Sequence, residues 1–84
     1  MGKIYTLEDI NREKLFPWAL RRREVRKTIL ADRRVENIID AQITGEGRAR
    51  RWRIEEENLK KFLDKYGPGL LLAYKIRKWN KEIL

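Results

Sequence analysis

Residues 45–54 read GEGRARRWRI, and the way this stretch folds decides the architecture. From Arg51 to Ile54, charged and apolar side chains alternate with period two, as in a strand with one buried face. Trp52 and Ile54 are expected inward, and Arg51 and Arg53 outward. The preceding IIDAQIT, residues 38–44, alternates in the same way, with Ile39, Ala41 and Ile43 on one side and Asp40, Gln42 and Thr44 on the other. Gly45 and Gly47 lie between the two runs, where a tight reversal needs left-handed backbone. The segment therefore predicts a β-hairpin whose tip and returning strand carry Arg48, Arg50, Arg51 and Arg53. Trp52 is expected to be buried against Phe62 and Val25.

Upstream of the hairpin, Ala19 to Arg34 reads as a helix. Val25 and Ile29 are four apart and share its inward face, with Leu20 or Arg21 one turn earlier on roughly the same side. Arg23, Lys27, Leu30 and Arg34 then point outward, and Arg22, Arg26 and Arg33 flank the buried stripe. Glu24 and Asp32 are the only acids set against Arg21, Arg22, Arg23, Arg26, Lys27, Arg33 and Arg34. A solvated helix face ordinarily mixes both signs at i and i+4, so this density of like charge points to a polyanion that neutralises it.

A shorter helix is expected before it. Thr6 and Asp9 have capping-box spacing, so a helix starts near Leu7, burying Leu7, Ile10 and Leu15. It ends before Pro17, which disfavours helix at its preceding residue. Phe16 and Trp18 then seal the edge of the core. Beyond the hairpin, EEENLKKFLDKYG (residues 55–67) is a helix with acids at its start, where the dipole favours them. Its apolar stripe is Leu59, Phe62, Leu63 and Tyr66. Gly67 and Pro68 are expected to end it. A last helix follows, with a narrow seam of Leu72, Ile76, Trp79 and Ile83. That seam either packs on the domain's own core or forms a contact surface for another protein.

With 84 residues and a net charge of +8, the chain is one small basic domain with a polyanion as its expected partner. The 42% hydrophobic content is too high for a disordered basic arm. No apolar run is long enough to span a bilayer, and the opening MGKIYTLEDI lacks the apolar stretch of a secretory leader. A cytoplasmic location without membrane association is expected.

The order of elements is short capped helix, basic helix, hairpin, helix. This is an α+β winged helix-turn-helix arrangement with an extra C-terminal helix. Residues 1–66 form the DNA-binding domain and residues 67–84 the packing or partner-contact helix. The segments YTLEDI, RREVRKTI and GRARRWRIEEENLKKFL resemble the helix-turn-helix domain of the excisionase family, related to the MerR-like DNA-binding domain. The resemblance covers roughly residues 4 to 64, and the passage from wing to helix is its most specific part. LFPWAL replaces the family's usual turn, the link ADRRVENII is longer, and the helix after Pro68 lies outside the pattern.

The resemblance implies duplex DNA binding without catalysis, by an architectural factor that sets the direction of recombination in a mobile element or phage. It also implies a reading helix in the major groove, a wing at the minor groove or backbone, and cooperative self-association on DNA. The resemblance does not extend to the C-terminal helix, whose seam is the expected contact for an integrase or other larger protein. A small transcriptional regulator, or a packaging or recruitment subunit, is the alternative. The candidate DNA-binding residues are Arg21, Arg22, Arg23, Arg26, Lys27, Arg33 and Arg34 on the helix and Arg48, Arg50, Arg51 and Arg53 on the hairpin.

Catalysis has little to work with. The chain has no Cys and no His, which removes the usual ligands of structural zinc and any nucleophile–histidine pair. Glu55 to Glu57 read more simply as a helix start than as a magnesium site. Tyr5, Tyr66 and Tyr74 have no supporting histidine. No metal, cofactor or enzymatic activity is expected.

Overall fold

Thr6 fixes the beginning of the fold. Its hydroxyl accepts from the Asp9 N–H at 3.1 Å, and its own N–H donates to the Asp9 carboxylate at 3.0 Å. This closed capping box starts α1 (Leu7–Arg12), which buries Leu7 and Ile10. Lys14, with φ 53°, turns the chain out of the helix. Phe16 and Trp18 then stack at 5.0 Å between ring centroids and are both buried, as the sequence suggests. The computed structural model describes residues 2–83, without the side chains of Ala49, Glu82 and Ile83.

α2 (Arg22–Val35) buries Val25 and Ile29 as expected. Leu30, expected outward, is half-buried against the core. Of Leu20 and Arg21, either of which is expected on the inward side, neither is buried: Leu20 precedes the helix at 66% exposure and Arg21 is its exposed N-cap. Asp32 is also buried, at 6% exposure, and its carboxylate accepts from the N–H groups of Ile38 (3.2 Å) and Ile39 (2.9 Å). These bonds satisfy both the buried charge and two backbone donors, and they deliver Ile39 to the core.

The same bonds correct the expected strand. The N–H groups of Ile38 and Ile39 are taken by Asp32, and Asp40 has φ 46°, so no ladder can form there. β2 is confined to Gln42–Thr44. Ile39 and Ala41 are buried nonetheless, from an irregular segment, whereas Ile43 on the edge strand is left 37% exposed.

β3 (Arg51–Glu55) pairs antiparallel with β2, placing Ile43 opposite Trp52. Its other edge takes β1 (Ile4–Tyr5), also antiparallel, which gives the order β1-β3-β2. Trp52 and Ile54 face the core while Arg51 and Arg53 face outward. Gly45 (φ 82°) and Gly47 (φ 55°) adopt the left-handed backbone that the tip requires. The described residues thus form an α+β fold with three α-helices and a three-stranded antiparallel sheet.

The sequence breaks the last helix at Gly67–Pro68; the structure does not. α3 runs unbroken over Glu56–Ile83, with Pro68 inside it. A proline in a helix interior removes one hydrogen bond and costs about 3 kcal/mol. Part of that strain arises from the Cβ of the preceding residue, and Gly67 has none. Leu70, Leu71 and Tyr74 also pack against the core beyond the proline, which rewards continuation. Gly67 and Pro68 therefore do not cap the helix, and residues 67–83 extend α3 rather than forming a separate element. Twenty-eight residues at 1.5 Å each give roughly 42 Å, which accounts for the 44 Å long dimension of the molecule. No helix among the described residues is long and apolar enough to cross a membrane.

The seam beyond Pro68 is not packed on the domain. Leu72, Ile76 and Trp79 are 59%, 48% and 61% exposed; the side chain of Ile83 lies outside the described residues. At about 100° per residue, these three side chains lie on the face opposite Leu70 and Tyr74, which hold α3 to the core.

α3 is tied to the end of α2 by Lys65, whose ammonium bridges the Glu36 carboxylate at 2.7 Å, joined by the Tyr66 hydroxyl. Lys65 and then Tyr66 hold the Glu36 carboxyl below its usual range, and Glu36 raises Lys65. For Glu36, whose folded value is depressed, the stabilisation is complete above the ordinary carboxylate pKa of about 4.3 and is lost as pH falls through the folded value. For Lys65, whose folded value is raised, it is complete below about 10.4 and is lost as pH rises through the folded value. The melting temperature should therefore fall on acidification from neutrality, and Glu36→Gln should flatten part of that fall. An unchanged acid profile in the variant would remove this tie from the account.

Candidate nucleic-acid interface

Arg22 and Arg26 are four apart and so stack on one flank of α2. The hairpin tip arrives beside that flank because the register of β2 and β3 is fixed by Trp52, which is buried one side-chain layer beneath. Between the two elements lies a cleft of about 450 Å³, lined by Arg22, Arg23 and Arg26 from α2 and by Arg48 and Arg50 from the tip. Gly47, Leu7 and Trp52 complete its walls. Gly47 has φ 55° and open space where a Cβ would stand, so the turn conformation, not crowding, calls for glycine there.

Five arginines, from two separate elements, thus line one concavity. Arg22 is paired, with the Glu8 carboxylate at 3.0 Å. Among the described residues, Arg23, Arg26, Arg48 and Arg50 make no ion pair and no side-chain hydrogen bond within the chain. The arrangement can receive an extended anion bearing several negative groups, to which guanidinium offers paired donors.

The remaining candidate residues divide. Arg51 and Arg53 lie on the outward face of β3, opposite Trp52, and do not line the cleft. Lys27 faces away from the tip, into a groove between α2 and α3. Arg21 is the exposed N-cap of α2 and makes no side-chain capping bond; Glu24 accepts from the Leu20 N–H instead, at 3.3 Å. Arg33 donates to the Ala41 carbonyl at 3.4 Å and so braces the α2–β2 connection. Arg33 and Arg34 lie in the last turn of α2, where cations complement the helix dipole. The structure therefore gathers Arg22, Arg23, Arg26, Arg48 and Arg50, and it leaves the other six outside the cleft.

Two site features escape the sequence reading. Glu8, on α1, is the partner that orients Arg22. Arg77 lines the α2–α3 groove with Arg23 and Lys27, a placement that depends on α3 continuing through Pro68. The spacing Leu63, Tyr66, Leu70, Tyr74, Arg77 runs in threes and fours across the proline and is the signal that could have revealed it. In comparison with known proteins, the chain matches no family model, no curated protein and no solved structure.

Proposed function

We propose that this chain binds duplex DNA as a winged helix-turn-helix, with α2 as the reading helix and the β2–β3 hairpin as the wing. The observation that carries the reading is the convergence of five arginines, from two separate elements, on the one cleft. The net charge of +8 acts in the same direction. On a duplex, the first turns of α2 enter the major groove, which is about 12 Å wide and admits a helix. Arg23 and Arg26 then reach guanine edges or phosphates. Arg48 and Arg50 sit at the adjacent backbone or in a narrowed minor groove, which attracts arginine. Arg22 exchanges its Glu8 partner for a phosphate. No step is chemical, and the protein acts by shaping and marking the DNA. The resemblance of its segments to excisionases favours an architectural role in recombination.

The wing variants test this reading. The side chains of Arg48 and Arg50 are exposed and have no hydrogen-bond or ion-pair partner among the described residues, so Arg48→Ala and Arg50→Ala should leave stability within about 0.5 kcal/mol. Each should weaken binding to specific and scrambled duplexes alike and lower the salt slope by about one. Arg26→Ala should instead cost about 1–3 kcal/mol on the specific site and relax preference at one position. Wing variants that bind both duplexes like the parent would strike the hairpin from the mechanism.

The exposed seam favours a second reading alongside the first, in which the chain recruits a larger protein to DNA. Leu72, Ile76 and Trp79 follow the i, i+4, i+7 spacing by which helices anchor in partner grooves.

A further inference from the structure

The groove on the opposite side of α2 differs in kind from the arginine cleft. Its volume is about 620 Å³, within the range of roughly 300–1,000 Å³ typical of small-molecule sites. Tyr66 and Leu70 of α3 and Ala31 and Val35 of α2 supply apolar surface, over a floor of the buried Trp18 and Phe62. Arg23, Lys27 and Arg77 also line the groove.

The polar groups along the groove are largely engaged already. The Trp18 indole N–H donates to the Thr28 hydroxyl at 3.1 Å, and that hydroxyl donates to the Glu24 carbonyl at 3.0 Å. The Tyr66 hydroxyl is held by Glu36. The two lining carboxylates accept from backbone N–H groups, Asp32 from Ile38 and Ile39, and Glu24 from Leu20. Among the described residues, Arg23, Lys27 and Arg77 have no such partner. Set against these two carboxylates, the three cations still leave the lining with one positive charge in excess, beside apolar wall. Charge complementarity then selects an anion with an apolar body.

Arg23 also lines the arginine cleft, so it stands on the ridge between the two concavities. We propose that the α2–α3 groove binds an amphipathic anion, such as a medium-chain or aromatic carboxylate, and that its occupancy weakens duplex binding by engaging Arg23. The apolar body lies against Tyr66, Leu70 and Val35, and the head group is held by Arg23, Lys27 and Arg77. The binding half of this proposal stands alone, whereas the coupling half rests on the DNA-binding reading above.

Calorimetric titration of the full chain with decanoate below its micellar concentration, with decanol as the neutral control, tests the site. Decanoate should bind with one-to-one stoichiometry and decanol markedly more weakly. Arg77→Gln should weaken decanoate by about tenfold, the loss of one charge-assisted hydrogen bond. Val35→Asp, at a position 74% exposed and so harmless to folding, should weaken it as well. Trp79→Ser, on the exposed seam of α3, should change nothing. Equal binding of decanol, no binding of decanoate, or loss in Trp79→Ser with retention in Arg77→Gln would each overturn the site.

Fluorescence anisotropy with a labelled duplex tests the coupling. Decanoate at a few times its Kd for the parent should weaken the parent's duplex binding and affect Arg77→Gln much less. Unchanged duplex affinity in the decanoate-bound parent overturns the coupling. A parent that binds decanoate but no duplex overturns the coupling together with the DNA reading, and leaves the groove assignment intact.

Discussion

Trp52→Ala is expected to lose about 3–5 kcal/mol of stability, the range for truncating a buried large aromatic. Trp52 sits on β3, the central strand, at 6% exposure, and it pairs across the sheet with Ile43. It belongs to the same buried cluster as Leu7, Val25 and Phe62. An alanine there leaves a cavity where the sheet meets the helices. Domains of this class hold only about 5–15 kcal/mol in total, and a chain of 84 residues belongs near the lower end. A large fraction of the variant should therefore be unfolded in dilute buffer. Urea titration followed by circular dichroism measures the loss. Trp79→Ala, which removes the same side chain at a position 61% exposed, should stay within about 0.5 kcal/mol of the parent. Similar losses in the two variants would show that the burial of Trp52 is not what holds the sheet to the helices.

The contrast between these two tryptophans also shows how far the sequence can be read. Trp52 lies in a period-two run, so its inward orientation follows from its neighbours alone. The capping box at Thr6 and Asp9, the turns at Gly45 and Gly47, and the burial of Val25 and Ile29 are local in the same sense, and each is found where its spacing places it. The seam at Trp79 leaves two outcomes open because periodicity shows that a face exists but not what meets it. Only the azimuth of Leu70 and Tyr74, which take the core-facing side, decides that.

The errors have a common cause in contacts between distant residues. Asp32 reads as a surface acid among arginines, but it is buried because two N–H groups six and seven residues later need an acceptor. Those bonds shorten the first hairpin strand, which alternation alone extends back toward Ile38. Pro68 reads as a stop because the local penalty is large. Packing of Leu70, Leu71 and Tyr74 against the core, with no Cβ at Gly67, outweighs it. β1 is two residues long, too short to carry a periodic signal, and it exists because the edge of β3 is there to receive it. At the candidate site the arginines were legible as a group. Which five converge was not, since Arg50 ends the turn just before β3 while Arg51 and Arg53 lie on the outward face of that strand.

That division among the arginines leads to the largest expected effect on binding. Replacing Arg26, Arg48 and Arg50 together by alanine should lower duplex affinity by about two to three orders of magnitude at low salt. If about five phosphates are neutralised by the parent, log K falls with log salt at a slope near −4 to −5. Each contact removed takes about one from that slope, so the triple variant should show roughly −2. Among the described residues, the side chains of the three are exposed and make no hydrogen bond or ion pair, so folding should be unaffected. A second triple variant separates the cleft from simple net charge. Lys75, Lys78 and Lys81 lie on the far part of α3, and changing them to alanine takes the chain from +8 to +5, since 8 − 3 = 5, just as the cleft variant does. Binding driven by overall charge must weaken equally in both. Binding organised by the cleft must weaken far more when Arg26, Arg48 and Arg50 are lost, and the α3 variant should keep a slope within about one of the parent's. Titrations of one labelled duplex at several salt concentrations, with all three proteins, give both quantities. Equal losses in the two variants would reduce the cleft to an accident of composition, and a parent slope near zero would end the case for DNA.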